Sequence, residues 1–126
     1  MTDREMLELA ARAAGYYFHG MRVGLDYENC YVSTTNDTDD WIIWDPRGDD
    51  GDALRLAVKL MIRVSVNRAF RLSIPGSVTV EYPDRDGFYY ALGEAVTNGG
   101  PYAATRRAIV RAAAEIGRQM EEASNG

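Results

Sequence analysis

The pattern of apolar and polar positions divides the chain into an α-helical opening, an irregular middle and a well-patterned second half. Met6, Leu9, Ala10 and Ala13 recur at helical spacing. They follow a capping box in which Thr2 is the N-cap and Glu5 reaches back to it, and Gly15 stops the run. A short amphipathic helix over 3–14 is predicted. Residues 16–19, 29–34 and 41–44 are rich in aromatic and β-branched side chains and read as three short strands. Gly20, Gly24 and the polar run 35–40 separate them as turns.

From Trp44 onward the signals sharpen. Pro46 and Gly48 make a turn, and Asp49 or Asp50 supplies the N-cap of a helix containing 53–60. Further carboxylates in its first turn suit the helix dipole. Leu54, Ala57, Val58 and Met61 form one apolar stripe with Leu56 and Leu60 beside it, so this helix is expected to be covered on two sides. A strand within 62–72 places Val64, Val66 and Phe70 on a buried side. Val78, Val80 and Tyr82 alternate with Thr79 and Glu81, and 83–87 is a hairpin loop whose Gly87 can take a positive φ. Residues 88–96 return as the third strand of an antiparallel meander with one polar face.

Pro101 suits the first position of a last helix running to about 122. Tyr102, Ile109, Ala113, Ile116 and Met120 fall on one face of it, the expected core stripe, and Arg107, Arg111 and Arg118 on the opposite face. Its many alanines allow close approach of another element, including an oligomer contact; high helix propensity explains them equally well. The sum is an α+β domain spanning 1–126: a mostly antiparallel sheet of about four to five strands packed between helices, an α-β-α sandwich with a long C-terminal helix.

Composition narrows the function classes. The 126 residues suffice for one core, and a hydrophobic fraction of 46% with 26% charged is ordinary for a globular protein. No apolar run approaches a membrane span, and residues 1–5 are too polar to open a signal peptide. A single cysteine, Cys30, leaves no internal disulfide and suits a reducing compartment, so a cytoplasmic location is expected. A net charge of −5 argues against general nucleic-acid binding. The charges segregate: Asp37, Asp39, Asp40, Asp45, Asp49, Asp50 and Asp52 crowd one segment, and Arg106, Arg107, Arg111 and Arg118 the last helix. All basic residues but Lys59 are arginine, which reflects either GC-rich coding or the use of guanidinium forks to grip phosphate or carboxylate.

Catalytic signals are sparse. His19 is the only histidine and reads as a partly exposed strand residue; Cys30 within an apolar strand reads as an inert core thiol. The acidic run lacks the ligand spacing of a calcium loop, and capping accounts for Asp49, Asp50 and Asp52 without an ion. No catalytic residue, metal ligand or cofactor is expected. Gly99 and Gly100 before a helix read as a turn or, less specifically, an anion loop. The arginine stripe is the best candidate for chemistry. It is either a solvated helix face or, because Arg107 and Arg111 lack an acid three or four residues before them, a phosphate grip closed by a second subunit; Arg111 and Arg118 are each within reach of Glu115.

The run Trp44-Asp45-Pro46 with 49–60, together with 101–113, resembles small phage accessory proteins of the ABA-sandwich and NinX-like type. Such proteins carry a Trp-Asn-Pro turn before the middle helix and an Ala-Arg-rich last helix; Asp45 stands where Asn is common. The likeness covers roughly 1–14 and 44–120. It implies a non-enzymatic phage product acting in the host cytoplasm, with a sheet between helices. Some small phage proteins of similar make-up are oligomeric anti-defence sponges for nucleotide signals of Thoeris or CBASS immunity, among them cyclic ADP-ribose isomers and cyclic oligonucleotides. Under that expectation the ligand-binding residues are Arg107, Arg111 and Arg55 for phosphates, with Tyr90 and Asn98 for a base, and the chain is a homo-oligomer. The alternative is an acidic adaptor or inhibitor of a host protein, using the 37–52 surface.

Overall fold

The computed structural model describes residues 1–23, 28–35, 41–67, 76–84, 86–96 and 99–125. Helix α1 (Asp3–Ala13) leads into strands β1 (Tyr17–Val23), β2 (Glu28–Ser33) and β3 (Trp41–Ile43). Then follow α2 (Asp50–Lys59), β4 (Arg63–Asn67), β5 (Ser77–Pro83), β6 (Tyr89–Ala95) and α3 (Gly100–Asn125). The class is α+β, with antiparallel pairing throughout and a long C-terminal helix. The described strands number six and form two three-stranded meanders, β1-β2-β3 and β4-β5-β6, where the sequence suggested one sheet of four or five. The chain leaves the first meander at Trp44, whose N–H makes a last bond to the Cys30 carbonyl. Trp44 and Pro46 are buried, which turns the backbone away from the sheet and into α2.

Local chemistry sets the helix ends. The Thr2 hydroxyl accepts from the Glu5 N–H while the Glu5 carboxylate accepts from the Thr2 N–H, closing the capping box. Asp49 caps α2 by accepting from the Asp52 N–H at 2.8 Å. At the far end of α2 the Ile62 N–H reaches the Ala57 carbonyl and the Met61 N–H that of Val58, a Schellman closure. Met61 holds it at φ 56°, a left-handed conformation usually given to glycine.

Helix α3 organises the core. It touches α1, α2 and all three strands of the second meander, while α1 also rests on β1, so contacts run in series from β1 through α1 and α3 to β5. Ala104, Ala108, Ile109, Val110, Ala112, Ala113 and Ala114 are buried. The small residues of α3 are therefore consumed within the chain, against α1 above all. A Cβ built on Gly117 would lie 2.0 Å from the Leu9 carbonyl oxygen, so these two helices meet at backbone distance. In β5 the alternation is as expected, with Val78, Val80 and Tyr82 facing α3.

Three expectations about the core are corrected. In α2 the buried residues are Ala53, Leu56 and Ala57, whereas Leu54, Val58 and Met61 are exposed. The face turned to the core is the one where two alanines flank Leu56, and the Leu54, Val58 and Met61 row lies off it. Val64 and Val66 are exposed, since β4 lies at the rim of its meander and overhangs the helix that covers β5; Phe70 falls outside the described residues. Tyr102 and Met120 are exposed near the two ends of α3, beyond the part packed on both sides. Among the described residues, no helix is long and apolar enough to cross a membrane.

Candidate functional site

A cleft of about 480 Å³ opens between the start of α1, the turn at 45–48, β6 and the middle of α3. Its charged lining is Asp3, Asp45, Arg47, Glu94, Arg107 and Arg111, with Met6, Ala103 and Val110 as apolar floor. Arg107 and Arg111 lie one turn apart on α3 and both face β6. There Arg111 donates through Nη1 to Glu94 Oε1 at 2.7 Å and to the Gly93 carbonyl at 3.3 Å. Arg107 Nε lies 3.8 Å from Glu94 Oε2. The expected lack of an acidic partner is thus corrected by a carboxylate from a distant strand. Register explains its placement: Glu94 pairs with Val78 and shares the α3-facing side of the meander with Leu92.

Arg47 completes the set. The turn that carries it is closed by Asp45, whose carboxylate accepts the Gly48 N–H and whose carbonyl accepts that of Asp49. Arg106 locks the turn onto α3, donating from Nε to the Arg47 carbonyl at 2.7 Å and from Nη1 to Asp50 at 2.6 Å. The Arg47 side chain is one-third exposed and meets Asp3 at 3.1 Å. Its Nε is buried with no hydrogen-bond partner among the described residues. A buried charged donor left unpaired is costly, on the order of 1–3 kcal/mol or more. Three guanidiniums face three carboxylates, so the cleft is bipolar. Within it one carboxylate, Glu94, serves two guanidiniums.

The other expected site residues do not assemble here. Arg55 is exposed on α2, where it pairs with Asp52 at 2.6 Å and lies 3.8 Å from Asp49, and the Asp52 hydrogen bond pushes its pKa up. Tyr90 lies at 5.9 Å from Tyr82, in a smaller hollow with Arg118. Arg118 pairs with Glu115 and Glu122 on its own helix. Asn98 falls outside the described residues. The sequence reading missed Arg47 and Glu94. A carboxylate on the apolar parity of a strand was the available signal for Glu94, whereas Arg47 had no signal beyond its place after Trp44 and Pro46.

The acidic segment is largely self-neutralised over its described part. Asp49 caps α2, Asp50 pairs with Arg106, and Asp52 accepts the Asp45 N–H and pairs with Arg55. Asp37, Asp39 and Asp40 lie outside the described residues. Among the described residues no group of His, Cys, Asp and Glu is arranged to hold a metal ion.

Folding does bring a serine to His19. The imidazole Nε2 is 2.7 Å from Ser33 Oγ and its ring stacks on Trp41 at 4.3 Å. Yet the Ser33 hydroxyl is fully buried and donates to the Thr35 carbonyl at 2.7 Å, so His19 is the donor to Oγ. A nucleophile would need the opposite polarity, with its proton directed to the base. Burial pushes the Cys30 thiol up to about 12, the nearby Arg47 only partly opposing it, so Cys30 stays protonated and inert at neutral pH.

No family model matches the chain, and no curated protein or solved structure is found to resemble it.

Proposed function

We propose that the protein is a non-catalytic binding protein whose 45–48/β6/α3 cleft takes a small phosphate-bearing ligand of nucleotide size. The observation that carries this reading is the convergence of Arg47, Arg107 and Arg111 on one cleft of about 480 Å³. That volume lies within the range of small-molecule sites, and guanidinium forks match phosphate geometry bidentately. Glu94 holds the two α3 guanidiniums in place in the free state, and an incoming phosphate competes with its carboxylate for them. Sequestration of a nucleotide-derived immune signal is the specific form of this reading that the phage-protein resemblance suggests. In the described part of the acidic surface, Asp49, Asp50 and Asp52 are already committed within the chain, so that part lends the adaptor alternative no comparable support; Asp37, Asp39 and Asp40 lie outside the described residues.

Calorimetry and thermal shift with pyrophosphate, ADP, cyclic ADP-ribose and a cyclic dinucleotide test the proposal. A ligand at 100 times its Kd adds about 2.7 kcal/mol of stability. Replacing Arg111 or Arg107 by Gln removes a charge-assisted contact and is expected to weaken binding by about 10- to 100-fold. Glu94→Gln removes the competing carboxylate and is expected to tighten it. Absence of binding by all four probes at millimolar concentration, or binding indifferent to both arginines, refutes the reading.

A further inference from the structure

On the opposite side of α3 from the cleft, a second concavity of about 360 Å³ lies between α2, β4 and the start of α3. Leu54, Val64, Val66, Tyr102 and Ile109 are among its lining residues, and the surface is almost wholly apolar. Leu54 is 64% exposed, Val66 61% and Tyr102 71%; Val58 and Met61 continue the Leu54 stripe along α2 at 70% and 72%. Leu54, Val58, Met61, Val64, Val66 and Tyr102 together present on the order of 600 Å² of side-chain surface. That stands at the upper end of a monomer's largest patch and near the ~800 Å² each partner gives a standard interface.

Beside this surface runs an open strand edge. Among the described residues β4 pairs with β5 alone, in unbroken register from Arg63–Glu81 to Asn67–Ser77. Within its own sequence the strand has no proline, no bulge and no lysine to block pairing. Its single charge, Arg63, leans over the Tyr89 ring at 3.9 Å, and Asn67 donates to Ser77 and Thr79 across the meander. Arg63 and Asn67 are thus drawn across the sheet, and among the described residues no strand pairs with the outer side of β4.

We propose that this surface is a two-fold interface with a second copy of the chain, formed by antiparallel pairing of β4 with β4 about Ser65. The strand is self-complementary in that register. Val64 lies opposite the second copy's Val66 on the α3-facing side, Ser65 opposite its counterpart, and Arg63 opposite Asn67, so no like charges meet. The pairing joins two three-stranded meanders into one six-stranded sheet and brings the apolar rows of Leu54, Val58 and Met61 toward the groove of the other copy. Helix α3 separates this groove from the arginine cleft, since Arg106 and Ile109 line the one and Arg107 and Val110 the other. Each copy therefore keeps its cleft open.

Sedimentation equilibrium of the full chain from about 1 to about 200 µM tests the proposal. The expected species has twice the 14.0 kDa chain mass. Val66→Lys and Leu54→Lys place a charge in the interface at positions exposed in the single chain, so far-UV circular dichroism stays unchanged while association weakens at least 100-fold. Phe88→Lys, on the exposed hairpin tip, leaves the dimer intact. A wild-type monomer throughout that range overturns the proposal. So does any oligomer that survives both Val66→Lys and Leu54→Lys. If Val66→Lys disturbs the fold, Leu54→Lys alone decides between the two outcomes.

Discussion

Gly117→Ala is the sharpest test of how α1 and α3 are joined. The added methyl would sit 2.0 Å from the Leu9 carbonyl oxygen, 2.7 Å from its carbonyl carbon and 3.1 Å from its Cα. A carbon–oxygen contact needs roughly 3.3 Å, so the two backbones must part by about 1 Å, and no side chain can swing aside to absorb the strain. A gap of that size forfeits up to about half of the dispersion attraction between the facing surfaces. Leu7, Ala10, Ala14 and Ala113 are almost fully buried in the same cluster and lose contact together. Overpacking of this kind costs about 3 kcal/mol at the upper end of the usual range. The gain in helix propensity on replacing Gly by Ala offsets about 1 kcal/mol. The net expectation is a loss of about 2 kcal/mol. In urea, with a slope of about 2 kcal/mol per molar, the midpoint falls by about 1 M with the slope unchanged. On an exposed helix the same substitution stabilises, so the sign alone is decisive. A midpoint equal to or above wild type refutes the close crossing.

Two further outcomes follow from particular residues. Burial raises Cys30 from 9.0 to about 12, so its protonated form stabilises the fold below pH 9 and that contribution is lost as pH rises toward 12. The slope from this group is about 1.4 kcal/mol per pH unit. Urea melts between pH 7 and 11 are expected to decline less steeply for Cys30→Ala than for wild type, the buried Tyr82 phenol, also pushed up, supplying part of the remaining decline; equal slopes refute the assignment. Met61→Gly relieves the left-handed conformation that closes α2, a gain of about 1–2 kcal/mol reduced by about 0.5–1 kcal/mol of extra chain entropy. Measured in the Leu54→Lys background so that association does not enter, it is expected to raise stability by about 0.5–1 kcal/mol, and a decrease in the urea midpoint counts against the strain.

Local signals were read correctly where the chemistry is local. The Thr2–Glu5 box, the Asp49 cap, the Gly87 hairpin and the alternation of β5 depend on neighbours within a few residues, and each forms as expected. Periodicity failed where it had to name the covering partner. Two stripes compete on α2, and the one with the larger apolar side chains, Leu54, Val58 and Met61, is the exposed one. The buried stripe is Ala53, Leu56 and Ala57, two alanines flanking one leucine against α3, and hydrophobicity alone does not register which face its neighbour approaches. The alanines of α3 posed the same ambiguity, resolved inside the chain by α1 and Gly117. At the cleft, the arginine pair was legible from its i, i+4 spacing. Glu94 and Arg47 were not, because strand register and the 45–48 turn bring them from 13 and 60 residues before Arg107.

The adjacent residues Arg106 and Arg107 show how one helix serves both surfaces. Arg106 is directed to the α2 side, where its two hydrogen bonds fasten the Arg47 carbonyl and the Asp50 carboxylate. Arg107 is directed to the β6 side, toward Glu94. Because Arg106 holds the backbone of Arg47, the third guanidinium of the cleft is fixed to the same helix that bears the other two. The turn and α3 thus bring the three cations to one cleft, and under the proposed function that arrangement lowers the ordering cost of binding an anion. The fastening also seats the first turn of α2 against α3. That leaves Leu54 and Val58 facing outward beside β4. The contact that assembles the cleft is the one that sets the exposed groove in place.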